Sequence, residues 1–204
     1  MISLLFQESY IIGSFFLLSF IVLYYNNYHN TSSLFLITLI LLLLFYRYEP
    51  HKTNYADNVI ISPAQGTVTN IKYNNNHIYV SIFMSIFNNH TQIYPVNGTV
   101  VNRIYDRTGQ FNIVVNQEKS RYNEKKIHNI VMKNKKIITI TQIAGFLPRC
   151  ITSSDIVPEK VKAGQYLGMI KFGSRIDIIF PGDMLKVKVK VNDTINIGDN
   201  IYTY

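Results

Sequence analysis

The chain predicts a mostly-β domain behind an apolar helical leader, and three observations carry the prediction. Short runs rich in Ile and Val recur after Pro50, each bounded by Asn, Gly, Pro or Asp. No long stretch after Pro50 holds apolar residues at helical spacing. Residues 1–46, by contrast, hold two long apolar runs and contain no Lys or Arg and one acid, Glu8. β-Branched residues in short, often alternating runs suit half-buried strands. Turn residues at this frequency suit a short-strand sandwich or barrel-like body.

The leader, residues 1–48, reads as two apolar helices. Tyr10–Tyr25 is apolar, Asn26–Ser32 is a polar turn, and Ser33–Tyr46 is apolar again. Each falls short of the roughly 20 residues of a straight span. Ile2–Phe6 lengthens the first run, and Tyr24, Tyr25, Tyr46 and Tyr48 suit an interfacial belt. A helical membrane hairpin follows, spanning or dipping in, so a transmembrane helix is among the expectations. A signal peptide fits less well, because there is no basic n-region and a second apolar run follows at once. Arg47, His51 and Lys52 follow the second run while the connecting turn has no Lys or Arg. That asymmetry puts the rest of the chain on the cytosolic side.

Residues 49–204 carry the β pattern. Strands are expected at Asn58–Ser62, Thr67–Tyr73, His77–Met84, Gly98–Tyr105, Phe111–Gln117, Lys126–Met132, Lys136–Ile143, Gln165–Phe172, Arg175–Phe180, Met184–Val191 and Asn200–Thr203. The clearest alternation is Leu185, Val187, Val189 and Val191 against Lys186, Lys188 and Lys190, which predicts one buried and one solvated face. Pro181-Gly182-Asp183 and Asn192-Asp193 read as turns. Val189–Ile201 suggests a small C-terminal β-hammerhead with Ile197-Gly198-Asp199 at a corner.

Charge and cysteine content exclude some functions. The net charge is +8, and all 20 basic residues follow Tyr46. A basic body beside an apolar leader suits an anionic membrane surface. Nucleic acid is not expected, since the lysines are scattered and no aromatic–basic motif or recognition helix is visible. Cys150 is the only cysteine, which excludes an internal disulfide and a Cys-based zinc cluster. No metal site is expected.

Three segments interrupt the strand pattern and hold the candidate chemistry. Ser62-Pro63-Ala64-Gln65-Gly66 is a tight break after an apolar strand. Met84–Gly98 leaves a strand, passes a polar corner with His90, and returns through Pro95 and Gly98. Gly173-Ser174 lies between two apolar runs. Alone it is turn punctuation, but it also sets a hydroxyl directly after a residue that bends easily. Loops on a rigid β scaffold are where chemistry usually sits.

Together these pieces resemble the phosphatidylserine decarboxylase family, in particular its shorter members. The resemblance runs in order over most of residues 45–204. Phe45–Pro50 is loosely similar to the family's Arg-Asp-Pro stretch. Ser62–Gly66 looks like Ser-Pro-Ala-Asp-Gly, and Ile82–Gly98 like Phe-Met-Ser-Pro-x-x-x-His…Pro-x-x-Gly. Asn123-Glu124 matches Asn-Glu, and Gln142–Leu147 is close to Gln-Ile-Ala-Gly. Gly168–Asp177 matches Gly-x-Ile-x-Phe-Gly-Ser-Arg-Val-Asp almost residue for residue.

The resemblance implies a carboxy-lyase that cuts itself between Gly173 and Ser174. Its cofactor is then a pyruvoyl group derived from Ser174, which takes phosphatidylserine as a Schiff base and releases CO2. It implies His90 as acid or base, two chains that stay associated after the cut, and phosphatidylserine in a membrane as partner. A homodimer is compatible with it. Arg149, Arg175 and Arg121 are the candidate head-group contacts.

Departures from the pattern also carry expectations. Gln65 stands where the family has Asp, and a carboxamide cannot stabilise an imidazolium by charge. This makes a catalytically impaired, membrane-attached lipid-binding or scaffold protein the alternative. Glu124 and Asp177 are the substitute carboxylates. Ile93 stands where relatives carry His or Arg, Ile86 replaces Pro, and Cys150 replaces Arg.

Overall fold

The computed structural model describes residues 9–47, 50–110, 112–114, 117–145, 151–171 and 173–204. Arg149 and Cys150 lie outside them. The chain divides into two compact units, residues 1–50 and 51–204.

The first unit holds two helices, α1 (Ser9–Tyr25) and α2 (His29–Phe45). Asn27 turns the chain between them at a φ of 62°. Their sequences are apolar all round, and neither has an acid in its first turn or a base in its last. Phe16 and Phe35 bring their rings to 5.5 Å across the pair. Each helix has 17 residues, which at 1.5 Å per residue is about 25 Å. The hydrocarbon core of a bilayer is about 30 Å thick. Among the described residues no helix is long and apolar enough to cross a membrane, so the expected transmembrane helix is not found.

The second unit is built from antiparallel strands: β1 (Val59–Ile61), β2 (Gly66–Asn74), β3 (His77–Met84), β4 (Thr91–Ile93), β5 (Gly98–Asp106), β6 (Lys125–Met132), β7 (Ile137–Ile143), β8 (Ile151–Ser153), β9 (Glu159–Val161), β10 (Tyr166–Ile170), β11 (Ser174–Pro181), β12 (Thr194–Ile195) and β13 (Asn200–Thr203). One short helix, α3 (Gln117–Ser120), joins β5 to β6. The main sheet has eight strands in the order β12-β2-β3-β11-β7-β6-β5-β9. A three-stranded sheet runs β4-β10-β8, and β1 pairs with β13. β12 and β9 are free edges of the main sheet, so it is open where a barrel would close. One apolar core joins the three sheets. It takes Val80, Ile82, Ile140, Ile176 and Ile178 from the main sheet, Leu167 and Ile170 from the second, and Ile60 and Ile201 from the third.

Among the described residues two expected strands are not found, and residues 111, 115 and 116 of one of them lie outside the described residues. Met184–Lys186 is a 3-10 turn instead of the start of a strand. Its backbone donors are taken locally. Asp183 accepts the N–H of Leu185 through its carboxylate at 2.9 Å and that of Lys186 through its carbonyl at 3.0 Å. Leu185, expected inside, is 92% exposed. The expected strand at Phe111–Gln117 is a loop over 112–114. There the Asn123 carboxamide accepts from the N–H and donates to the C=O of Asn112, at 2.9 and 2.6 Å. The groups a neighbouring strand would need are already bonded. The C-terminal segment places β12 on the main sheet and β13 on β1. Ile197-Gly198-Asp199 is a turn, with Gly198 at a φ of 89° and its N–H bonded to Ser62 O at 2.9 Å.

Candidate functional site

Three segments meet where the second sheet passes into the first. Ser62–Gly66 is held from several sides. Ser62 Oγ donates to Ala64 O at 2.6 Å, Ser62 N–H to Asp199 O at 2.7 Å, and Pro63 O accepts from Ile93 N–H at 3.0 Å. Gly66 packs directly on β3, where any Cβ would lie 2.1 Å from Phe83 O. Gln65 is thereby aimed at the neighbouring loop. Its Oε1 accepts from Asn89 N–H at 2.8 Å, and its Nε2 donates to Asn196 Oδ1 at 3.2 Å.

His90 is fully buried at the end of that loop. Its Nδ1 lies 2.8 Å from Asn88 O. A carbonyl oxygen only accepts, so Nδ1 carries the proton of the neutral ring and Nε2 carries the basic lone pair. The loop is cross-linked by its own polar groups. Asn88 Oδ1 accepts from both the N–H and the hydroxyl of Ser85 at 2.8 Å, and Asn88 N–H donates to Ser85 O at 3.0 Å.

The candidate cleavage site faces this loop through strand register. Met169 pairs with Thr91, and Ile170 N–H reaches His90 O at 3.4 Å. Four residues later, Ser174 opens β11 opposite Met84. The chain therefore changes partner between Ile170 and Ser174, from the strand after the His90 loop to the strand before it. Gly173 sits at a φ of 61°, in the left-handed region that an L side chain occupies only at a cost. A Cβ there would touch nothing within 4 Å, so the glycine answers to backbone conformation and not to space. Ser174 is fully buried, and its Oγ has no hydrogen-bond partner among the described residues. A buried hydroxyl left without a partner calls for an explanation, and a reactive role supplies one.

A chain of buried polar groups that sequence reading did not single out ends on the same loop. Arg103 Nε donates to His128 Nδ1 at 3.2 Å, which leaves His128 Nε2 as the donor to Gln142 Oε1 at 2.9 Å. Gln142 Nε2 donates to Gln92 Oε1 at 2.8 Å, and Gln92 Nε2 donates to His90 O at 2.6 Å. Every hydrogen bond points the same way, from the Arg103 guanidinium to the His90 carbonyl. Burial, with the Arg103 and Lys126 charges, pushes His128 down to about 4 against a bond to Gln142 that favours its charged form. It is therefore neutral at pH 7, as the donor pattern requires. One signal for His128 was present in the sequence. It shares the inward phase of β6 with Ile130 and Met132, and a polar residue on the core side of a strand needs partners.

The candidate head-group arginines lie differently. Arg175 is 3% exposed. It bonds Asp177 through Nη2 at 3.1 Å, and Ser120 Oγ and Val114 O through Nη1 at 2.6 and 3.1 Å. Asp177 also accepts from Ser81 Oγ at 2.6 Å and Tyr79 OH at 2.7 Å. Burial and the Asp177 carboxylate push Tyr79 up, which keeps it a donor. Arg121 is exposed beside Tyr122. Arg121, Lys125, Lys72 and Arg175 line a groove of about 580 Å³ on the outer face of the main sheet. Of the substitute carboxylates, Glu124 is buried and accepts from Tyr105 OH at 2.5 Å.

Comparison with known proteins shows the family. The family model described as phosphatidylserine decarboxylase matches residues 40–203. A phosphatidylserine decarboxylase proenzyme of Wolbachia pipientis wMel is 32% identical over 77% of this chain and 72% of the relative. Proteins of the same name from Chlorobium phaeovibrioides and Cytophaga hutchinsonii are 37% and 36% identical. They cover 70% and 77% of this chain, and 67% and 74% of their own lengths. No solved structure matches it. With the ordered motifs folded together around Gly173-Ser174 and His90, the chain belongs to the phosphatidylserine decarboxylase family.

Proposed function

We propose that this chain is the proenzyme of a phosphatidylserine decarboxylase, which cuts itself between Gly173 and Ser174 and then converts phosphatidylserine to phosphatidylethanolamine and CO2. The observation that carries the reading is the buried Oγ of Ser174, without a hydrogen-bond partner among the described residues, directly after a glycine in the left-handed region.

The chemistry follows from these groups. A base takes the Ser174 hydroxyl proton, and Oγ bonds to the Gly173 carbonyl carbon. The C–N bond breaks as the base passes that proton to the departing nitrogen, leaving an ester and a free amine on Ser174. Loss of the Ser174 α-proton then breaks the Cβ–O bond and frees the Gly173 carboxylate. Water replaces the nitrogen of the dehydrated residue, ammonia leaves, and a pyruvoyl group remains. His90 is the base of this reading, because the Asn88 carbonyl fixes its lone pair on Nε2. The residues suit the group: it is no larger than the serine it replaces, and among the described residues none makes a competing hydrogen bond at the Oγ position. A pyruvoyl group supplies an electron sink for decarboxylation when present. His90 then holds the proton that the carbon must regain. Membrane attachment draws on the apolar α1 and α2 and on the basic second unit.

Intact-mass measurement tests the reading. Two fragments are expected, the smaller beginning with a pyruvoyl group in place of Ser174. Recovery of only the uncut 23.6 kDa chain would overturn it. Ser174→Ala should give one chain and no CO2 from phosphatidylserine.

Gln65 favours a second reading, a catalytically impaired relative that binds lipid at a membrane. The residue holds the His90 loop through Asn89 without adding charge. The Gln65→Asp variant separates the two: cleavage seen only in that variant supports the impaired form.

A further inference from the structure

Two of the most exposed large apolar side chains of the second unit sit next to each other, close to His90. Ile86 is 56% exposed and Phe87 is 82% exposed. They occupy the middle of the turn from Ser85 to Asn88. That turn is closed by the Asn88 N–H to Ser85 O bond at 3.0 Å and by the Asn88 carboxamide on Ser85. The display is therefore built in. A braced turn holds two apolar side chains in water, where a polar pair would be the ordinary choice.

The brace has a second contact. Asn88 closes the turn with its side chain and N–H, and its carbonyl orients the His90 ring at 2.8 Å. The apolar tip and the candidate base are thus joined through Asn88 in one hydrogen-bonded loop.

The surroundings select the occupant. The strand row just before the turn carries Phe83, Arg175, Ile143 and Lys125 in register. Asp177, two residues along β11 from this row, neutralises Arg175, which leaves Lys125 as the cation of the row and Arg121 and Lys72 as the other cations of the groove, Lys72 further along it opposite Tyr79. Two side chains are too few for a stable protein interface, which takes roughly 800 Å² from each partner. An apolar tip beside cations is the pattern of an element that enters the interface of an anionic bilayer.

We propose that the Ile86-Phe87 turn is a membrane wedge, which seats the His90 loop in the interfacial layer of an anionic phospholipid bilayer. The proposal rests on the reading of the site as one that acts on a lipid. Its consequence is that substrate reaches His90 from the bilayer without leaving it.

The sequence has no tryptophan, so a single introduced indole reports on one position. The full-length Phe87→Trp chain is reconstituted into phosphatidylserine-containing vesicles with ordinary or brominated acyl chains. Tyr73→Trp is the control, at a half-exposed site in the last paired rows of the β2–β3 ladder, remote from Met84. Bromine should quench the emission of Phe87→Trp strongly and that of Tyr73→Trp weakly. Ile86→Trp repeats the measurement one residue away, in case the first variant folds poorly. Absence of quenching at both turn positions, or equal quenching at Tyr73→Trp, overturns the wedge. The readout does not need decarboxylation. An uncut, inactive chain that is quenched at the turn refutes the enzymatic reading alone, and an active one that is unquenched there refutes the wedge alone.

Discussion

The side-chain oxygen of Gln65 accepts the backbone N–H of Asn89 at 2.8 Å, one residue before His90. Position 65 therefore acts on the histidine through the main chain that carries it. Gln65→Ala leaves the Asn89 N–H without its acceptor, at a cost of about 1–3 kcal/mol. The thermal midpoint should fall, and cleavage should slow as the loop loosens. Gln65→Glu keeps both the length and the acceptor while adding a negative charge. It should cut faster than the parent chain in a gel time course, whereas Gln65→Ala should cut more slowly.

Gly173→Ala isolates backbone conformation from space. Apart from its chain neighbours, no described residue lies within 4 Å of the added methyl, so the penalty is that of an L residue at positive φ, about 1–2 kcal/mol. The variant should fold with a modestly lower midpoint. Its cleavage should slow as well, because residue 173 is drawn away from a φ of 61°. Normal cleavage kinetics in a destabilised Gly173→Ala chain would show that this geometry is unconnected to the cut.

Gln142 is the centre of the polar chain, between His128 and Gln92. Gln142→Leu removes one acceptor and one donor and leaves two buried groups unbonded. A cost of about 2–4 kcal/mol follows if each group loses 1–2 kcal/mol. Gln142→Glu keeps the acceptor for His128 but cannot donate to Gln92. It should recover stability more than processing rate. Parallel denaturation and intact-mass time courses measure the two effects.

His128 makes stability depend on acid. Its native value of about 4 lies below the ordinary 6.5, so the unfolded chain takes up the proton first as pH falls. The contribution is fully present above pH 6.5 and is lost progressively between pH 6.5 and 4. The shift corresponds to roughly 3 kcal/mol. Urea midpoints at pH 7, 5.5 and 4.5 should fall steeply for the parent chain. They should fall less for His128→Gln, which cannot titrate. The Asp57, Asp106 and Asp155 carboxylates, held low mainly by bonds to Lys133, Thr108 and Lys126, lose their contributions only below this window.

Strand interiors were legible where alternation met a binding partner. His77–Met84 and Asn200–Thr203 are strands with the expected bounds. Alternation misled at Met184–Val191, because periodicity reports which side chains share a face and not what the backbone bonds to. Asp183 took the amides of Leu185 and Lys186 first. The three-residue strand at Thr91–Ile93 was hidden for the opposite reason: it is too short to show a period, and β10 defines it. The Gly173-Ser174 dipeptide and His90 stood out in the sequence as chemistry-bearing residues in breaks. Gln92 and His128 did not, since they lie 50 and 14 residues from their shared partner Gln142 along the chain and only the fold joins them.

The position of β11 has a consequence for the cut itself. It lies inside the main sheet, bonded to β3 on one side and β7 on the other, while β12 and β13 bind β2 and β1. A chain end is normally the first part of a protein to fray. An end made at Ser174 would instead be born in an interior, clamped along both edges before it existed. The fragment from Ser174 onward could leave only by unzipping four ladders, those of β11 with β3 and β7, of β12 with β2 and of β13 with β1. Severing the backbone there would change covalent connectivity while leaving the architecture standing, and the newly made group would need no search for its place.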